Sequence, residues 1–215
     1  MNRRDFSKQL AAAGLTLATA AGAAKAQGGP VEGKDFIKLE TAAAVNLPAN
    51  KKIEVVEFFW YGCSHCFAFE PVLEPWAKRL PADVYFHAVP FAFIGPVEHQ
   101  KLFYALEELG QREALHGKLF NAIHVQNKRL NTESEITDFV VANGVDKAKF
   151  TDAFKSFAVN TKLSRGKQLS SAYKIDSVPM LGIHGRYRTS AGMAGTQERA
   201  LGVAEYLMQR ARQSA

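Results

Sequence analysis

The stretch Ile53-Glu54-Val55-Val56-Glu57-Phe58-Phe59-Trp60-Tyr61-Gly62-Cys63-Ser64-His65-Cys66 carries two adjoining signals. Residues 53–60 are rich in β-branched and aromatic side chains, the pattern of a strand buried on both faces of a sheet. A Cys-X-X-Cys follows at once, and residues 67–80 then show helical spacing. The cysteines therefore fall where the C-terminal end of a strand meets the N-terminus of a helix. Pro71 and Pro75 predict a kink near the middle of that helix. Residues 84–91 read as the next strand, so the order is βαβ, with parallel neighbouring strands and a right-handed crossover.

Working outward, residues 27–52 form a Gly-, Pro- and Ala-containing lead-in with a short strand expected at 36–39. From Val97 to about Lys174 the periodicity is helical throughout. Leu102, Phe103, Leu106 and Leu109 make one apolar stripe; Leu115, Leu119, Phe120 and Ile123 make another. Thr132-Glu133-Ser134-Glu135 is a capping box opening a helix through Val141, closed by Asn143-Gly144. Asp146 is placed to cap the next helix, with Phe150, Phe154 and Phe157 inward, and a further helix is expected over 161–173. These stripes read as core and imply no cofactor. Strand character returns at 180–183, and His184-Gly185 turns the chain into 186–189 as a β-hairpin. Thr196 is placed to cap a last helix through Arg210. The predicted class is α/β: a βαβ unit, an all-helical insertion, then ββα. The segments are 27–96, 97–174 and 175–215, preceded by 1–26.

Residues 1–26 read as an address for export. A charged segment (1–9) precedes the uncharged, Ala-rich stretch from Leu10 to Ala24. Ala24-Lys25-Ala26 supplies a small–x–small cleavage pattern, making Gln27 the expected mature start. Arg3-Arg4-Asp5-Phe6-Ser7-Lys8 resembles a twin-arginine signal, with an ordinary Sec leader as the alternative. The expected location is the periplasm.

The 215 residues are 47% hydrophobic and 22% charged, ordinary for a soluble globular protein with a packed core. Two cysteines three apart exclude a disulfide-rich scaffold. Half of the net charge of +6 belongs to the leader, and 23 basic against 20 acidic side chains remain beyond residue 26. That balance gives no ground for nucleic-acid binding.

A Cys-X-X-Cys opening a helix behind a strand implies a redox-active pair. Unpaired helix N–H groups and the helix dipole stabilise a thiolate at Cys63, the exposed nucleophile. His65, when protonated, adds positive charge beside it. Cys66, one turn further in, is the shielded resolving thiol. The disulfide has no thiolate, so stabilising the Cys63 thiolate favours the reduced pair and makes the disulfide a stronger oxidant. Other readings fit less well. No second ligand pair suits zinc, Phe67 stands where haem attachment needs histidine, and so small a ring would constrain the unfolded chain little.

The Cys-Ser-His-Cys motif, the interrupted βαβ–ββα order and the segment Val178-Pro179-Met180-Leu181-Gly182-Ile183-His184-Gly185-Arg186-Tyr187 together resemble the DsbA family of periplasmic thiol:disulfide oxidoreductases, over essentially the whole mature chain. The resemblance implies a thioredoxin fold with a helical insertion, acting as a monomer. It implies donation of a Cys63–Cys66 disulfide to reduced exported proteins and reoxidation by a quinone-linked membrane partner of the DsbB type. Pro179 matches the family's cis-proline facing the active site, which would present the Val178 backbone for β-like pairing with an extended substrate.

Glu57 stands out on its own account, because a carboxylate in a doubly buried strand is costly unless paired or protonated. It matches the family's buried acid, which exchanges protons with the second cysteine. Two departures are visible. Ser64 replaces the family's common proline in the dipeptide that tunes thiolate stability. The strand at 84–91 lacks the lysine expected as partner to the buried acid and offers only His87. His99, His116, His124 and His184 read as solvated or core histidines. Rival functions are a periplasmic reductase or isomerase on the same fold, or a two-thiolate metal-binding protein. About 25 residues before the first core strand are too few for an isomerase's dimerisation module.

Overall fold

The computed structural model describes residues 29–91 and 93–213. The expected leader, 1–26, lies outside the described residues. The chain order is β1 (Ile37–Lys38), β2 (Ile53–Phe59), α1 (Ser64–Ala77), β3 (Val84–Pro90), α2 (Val97–Glu108), α3 (Arg112–His124), α4 (Glu133–Ala142), α5 (Lys147–Lys155), α6 (Phe157–Ala172), β4 (Met180–Ile183), β5 (Tyr187–Thr189), α7 (Ala191–Ala194) and α8 (Gln197–Gln213). The five strands form one sheet in the order β1-β5-β4-β2-β3. β2 runs parallel to β3 and antiparallel to β4. All seven residues of β2 are buried, as its composition predicts for a central strand.

Alternation along β2 sorts its side chains between two compartments. Ile53 and Val55 pack with Leu73 and Trp76 of α1 and Leu207 of α8. Phe59, on the same face, joins Cys66, Phe103 and Phe120 in the core shared with the helical segment. Val56 and Phe58 face the other way, into a cluster with Leu39, Tyr173 and Met180. The strand thus ties together all three parts of the core, and its C-terminal end delivers the cysteines to the junction with the helices.

The local signals act as their chemistry dictates. Thr132 and Glu135 form the reciprocal capping box at α4, and Asp146 caps α5 through the Lys149 N–H at 2.8 Å. His184 and Gly185 both adopt positive φ, 48° and 66°, which suits the tight turn between β4 and β5. Thr196 Oγ1 accepts the Arg199 N–H at 3.1 Å at the start of α8.

Two expectations are corrected. The last helix of the insertion begins at Phe157, four residues earlier than expected, because Ser156 ends α5 and caps α6 through the Val159 N–H. Phe157 thereby becomes the first residue of a new helix and is 86% exposed instead of inward. α1 runs from Ser64 to Ala77 with Pro71 and Pro75 inside it, and their four-residue spacing puts both on one exposed face. The short helix α7 was not expected; Ser190 caps it through the Met193 N–H.

Candidate active site

Cys63 is the N-cap of α1, with extended backbone at φ −85° and ψ 115°. Its sulfur takes the place of a capping oxygen, accepting the Cys66 N–H at 3.4 Å. Ser64 and His65 form the exposed start of the helix, and Cys66 is fully buried in the core beneath them. Both cysteines are thiols in this structure. Across the cleft the Val178–Pro179 peptide bond is cis. The Cys63 thiol donates to the Val178 carbonyl at 3.5 Å, so the fold brings together residues 115 positions apart in sequence.

The two sulfurs ionise very differently. The Cys63 pKa is lowered from 9.0 to about 6, first by the hydrogen bond from the Cys66 thiol, then by the backbone N–H groups of Cys66 and His65, with the His65 charge contributing least. Burial opposes this shift without reversing it. Burial pushes the Cys66 thiol far upward, and the neighbouring Cys63 sulfur adds to the effect. The sequence reading credits His65 and the helix dipole; the geometry gives the larger part to the second cysteine.

Glu57 is 2% exposed, and its Oε1 has no hydrogen-bond partner. Burial holds its carboxyl well above the usual range, reinforced by Glu70 and opposed by Arg112. The alternative partner offered by the sequence, His87, is on the wrong face. Glu57 pairs in register with Ala88, while His87 lies on the face of Glu54 and meets its Oε1 at 3.3 Å. Glu57 instead lines a cavity of about 790 Å³ bordered by α1, β3 and α3, together with Glu70, Arg112 and His116.

Histidines that the sequence reading set aside hold the turn leading into the motif. Trp60 Nε1–H donates to His99 Nδ1 at 3.1 Å, which leaves the His99 proton on Nε2, donating to the Leu130 carbonyl at 2.9 Å. His124 Nε2–H donates to the Tyr61 carbonyl at 2.7 Å while its ring stacks on Phe67 at 4.9 Å. His116 lies 2.9 Å from the Tyr61 hydroxyl and 3.2 Å from Glu70 Oε1. The i, i+4 row Arg112, His116, Phe120, His124 was a readable signal for one shared helix face, and Glu70 follows Cys66 by the same interval. His184 has a different place, in the β4–β5 turn, where its Nδ1 accepts the Glu54 N–H at 3.4 Å. On the outer side, the Trp60 indole lies against Gly62 and Gly95, where a Cβ would come within 2.3 Å of the ring. The loop carrying Gly95 also exposes Phe93 and Ile94.

A thioredoxin fold whose Cys-X-X-Cys opens a helix opposite a cis-proline defines a thiol:disulfide oxidoreductase. The DSBA-like thioredoxin domain model matches residues 97–201, the helical segment and the β4–β5 end of the sheet. The thiol:disulfide interchange protein DsbA of Pseudomonas aeruginosa is 42% identical over 184 residues, covering 85% of this chain and 86% of that protein. The protein of that name from Burkholderia cepacia is 44% identical over 177 residues, covering 81% and 83%. The crystal structure of Pseudomonas aeruginosa DsbA superimposes with a TM-score of 0.81 at 41% identity, covering 86% of this chain and 96% of that one. The chain belongs to the DsbA family and is a protein disulfide oxidoreductase.

Proposed function

We propose that the protein is an exported dithiol oxidase of the periplasm, donating the Cys63–Cys66 disulfide to reduced proteins through a mixed disulfide. One observation carries this reading: Cys63 caps α1 at the cleft with its sulfur on the Cys66 N–H at 3.4 Å, which favours its thiolate, while Cys66 is fully buried. A substrate thiolate attacks Cys63 Sγ, the Cys63–Cys66 bond breaks, and Cys66 leaves with the electron pair. Its buried thiolate takes a proton from Glu57. The second substrate thiol, deprotonated, then attacks the mixed disulfide at the substrate sulfur and releases Cys63 as a thiolate. Two electrons pass from the substrate dithiol to the active-site pair. At pH 7 the Cys63 thiolate stabilises the reduced form by about 1.4 kcal/mol before solvent screening and about 1 kcal/mol after it. That stabilisation raises the potential by roughly 20–30 mV.

Val178 and Pro179 serve substrate binding, the Val178 backbone pairing with an extended peptide, and Ser64 and His65 set the local field at Cys63. Exposed Phe93 and Ile94 near Trp60 add an apolar rim suited to unfolded chains. The protein acts as a monomer without a cofactor. Its leader, residues 1–26, directs export, and a DsbB-type quinone-linked membrane oxidase restores the disulfide.

Equilibration of leaderless protein in glutathione buffers tests the direction. The expected potential lies well above the glutathione poise, and the reduced protein shows a 240 nm thiolate transition near pH 6 that Cys63→Ser abolishes. Because the Cys63 pKa is lowered, the thiolate's contribution to the reduced fold is present above pH 9 and fades as the pH falls through 6. A thioredoxin-like potential would reverse the assignment and make the protein a reductase.

A further inference from the structure

We propose that Glu70 and His116 form the proton exit of this active site, passing between Glu57 and solvent the proton that Glu57 exchanges with Cys66. The inference rests on Glu57 as the proton partner of Cys66 and adds the route by which Glu57 is recharged.

Such a route is needed because both groups are sealed from above. Cys66 is fully buried and Glu57 nearly so. Across the sheet from Glu57 stands Ala88, a side chain that can neither give nor take a proton. What Glu57 does reach is the cavity of about 790 Å³ between α1, β3 and α3. Glu70 and His116 line this same space and are joined to each other at 3.2 Å. Their side chains are 20% and 15% exposed, so each touches solvent while also facing inward. Arg112 lines the cavity too, and its charge stabilises whichever carboxylate is momentarily ionised. Glu74 and Glu113 line the cavity as well, but both are exposed at its rim, and Glu74 is occupied by Lys78 at 2.6 Å. The pair Glu70–His116 is therefore the one that combines an inward position, an exchangeable hydrogen bond and access to solvent.

The proton count closes over a cycle. On oxidising a substrate, Cys66 leaves as a thiolate and takes the Glu57 proton; the Glu57 carboxylate is then recharged from solvent through His116 and Glu70. On reoxidation Glu57 first releases its proton to solvent by the same path, and its carboxylate then takes the Cys66 proton as that sulfur re-forms the bond with Cys63. The electrons remain in the thiol–disulfide chemistry throughout.

The test uses oxidised mature protein and a synthetic dithiol peptide, followed by stopped-flow fluorescence over repeated turnovers in low buffer, with a chemical reoxidant. His116→Ala and Glu70→Gln are expected to slow the proton-limited phase by up to about a hundredfold. Their equilibrium with glutathione should change less than about twofold, because an exit alters rates and leaves end states alone. Added imidazole should restore His116→Ala and leave Glu57→Gln slow. If Glu57→Gln is slow while both exit variants match the wild type, the exit is overturned and the role of Glu57 stands. If Glu57→Gln itself is unaffected, the underlying reading fails and this inference falls with it. A folded His116→Ala that imidazole does not restore also overturns the exit. Should that variant not fold, Glu70→Gln, which preserves shape and a hydrogen bond, decides the matter alone.

Discussion

β2 carries two buried glutamates three residues apart, and its two faces give them different surroundings. Glu54 is 3% exposed and meets the His87 imidazole of the neighbouring strand. Glu57 is 2% exposed and meets Ala88 across the same strand pair, with a cavity beyond. Residue type, strand and burial are shared; the difference is one of parity, because an odd separation along a strand reverses the face. On the Glu54 face the sheet is closed by Tyr173, whose ring lies over Gly182 and whose hydroxyl accepts the Gly185 N–H at 2.7 Å. On the Glu57 face the core opens into the cavity between α1, β3 and α3. One face is closed by packing; the other leaves a buried acid against a cavity, and the second costs stability.

The sharpest way to break this contrast is to crowd the closed face. A Cβ at Gly182 would sit 2.5 Å from a Tyr173 ring carbon, and Tyr173 is fully buried. Gly182→Ala is expected to destabilise the protein by about 3 kcal/mol, read from the urea midpoint. An unchanged midpoint would mean that this face is no more tightly packed than the other.

Relieving the open face should work in the opposite sense. Glu57→Leu removes a buried acid with an unpartnered oxygen, and a gain of about 2 kcal/mol at pH 7 is expected. The pH dependence identifies the cause. A carboxyl whose pKa is raised on folding from its ordinary 4.5 binds its proton more tightly in the native state. The native protein therefore gains stability from Glu57 as pH falls from neutral towards 4.5, and loses it as pH rises through the folded value. Glu57→Leu should remove that slope, so its advantage shrinks in acid. An advantage that persists undiminished at pH 4 would assign the gain to packing alone.

Much of this arrangement was readable before the fold was known. The apolar run of β2, the capping box at Thr132, the cap at Asp146 and the His184-Gly185 turn are local signals, and local chemistry decided them. Cys-X-X-Cys at a strand–helix junction placed Cys63 at the N-cap of α1. What escaped the sequence is what depends on register and on tertiary meeting. Glu57 could not be separated from His87 without knowing that β2 and β3 pair Glu57 with Ala88. Phe157 fitted an apolar stripe with Phe150 and Phe154, yet Ser156 restarted the helix and reversed its direction. The row Arg112, His116, Phe120, His124 was visible as a helix face, but nothing in the sequence brought it against Glu70 and Tyr61.

The smallest effect tests the Glu54 side of the contrast directly. Glu54→Leu removes the 3.3 Å contact with His87, whose side chain is 23% exposed. Because that imidazole reaches water, losing its partner does not strand a buried polar group. The variant also removes Glu54 Oε2, which is buried without a partner, and this offsets part of the loss. The expected net cost is about 1 kcal/mol, read from the urea midpoint. If Glu54→Leu instead stabilised the protein as much as Glu57→Leu, the two glutamates would be equally costly passengers, and the cavity beside Glu57 would no longer distinguish them.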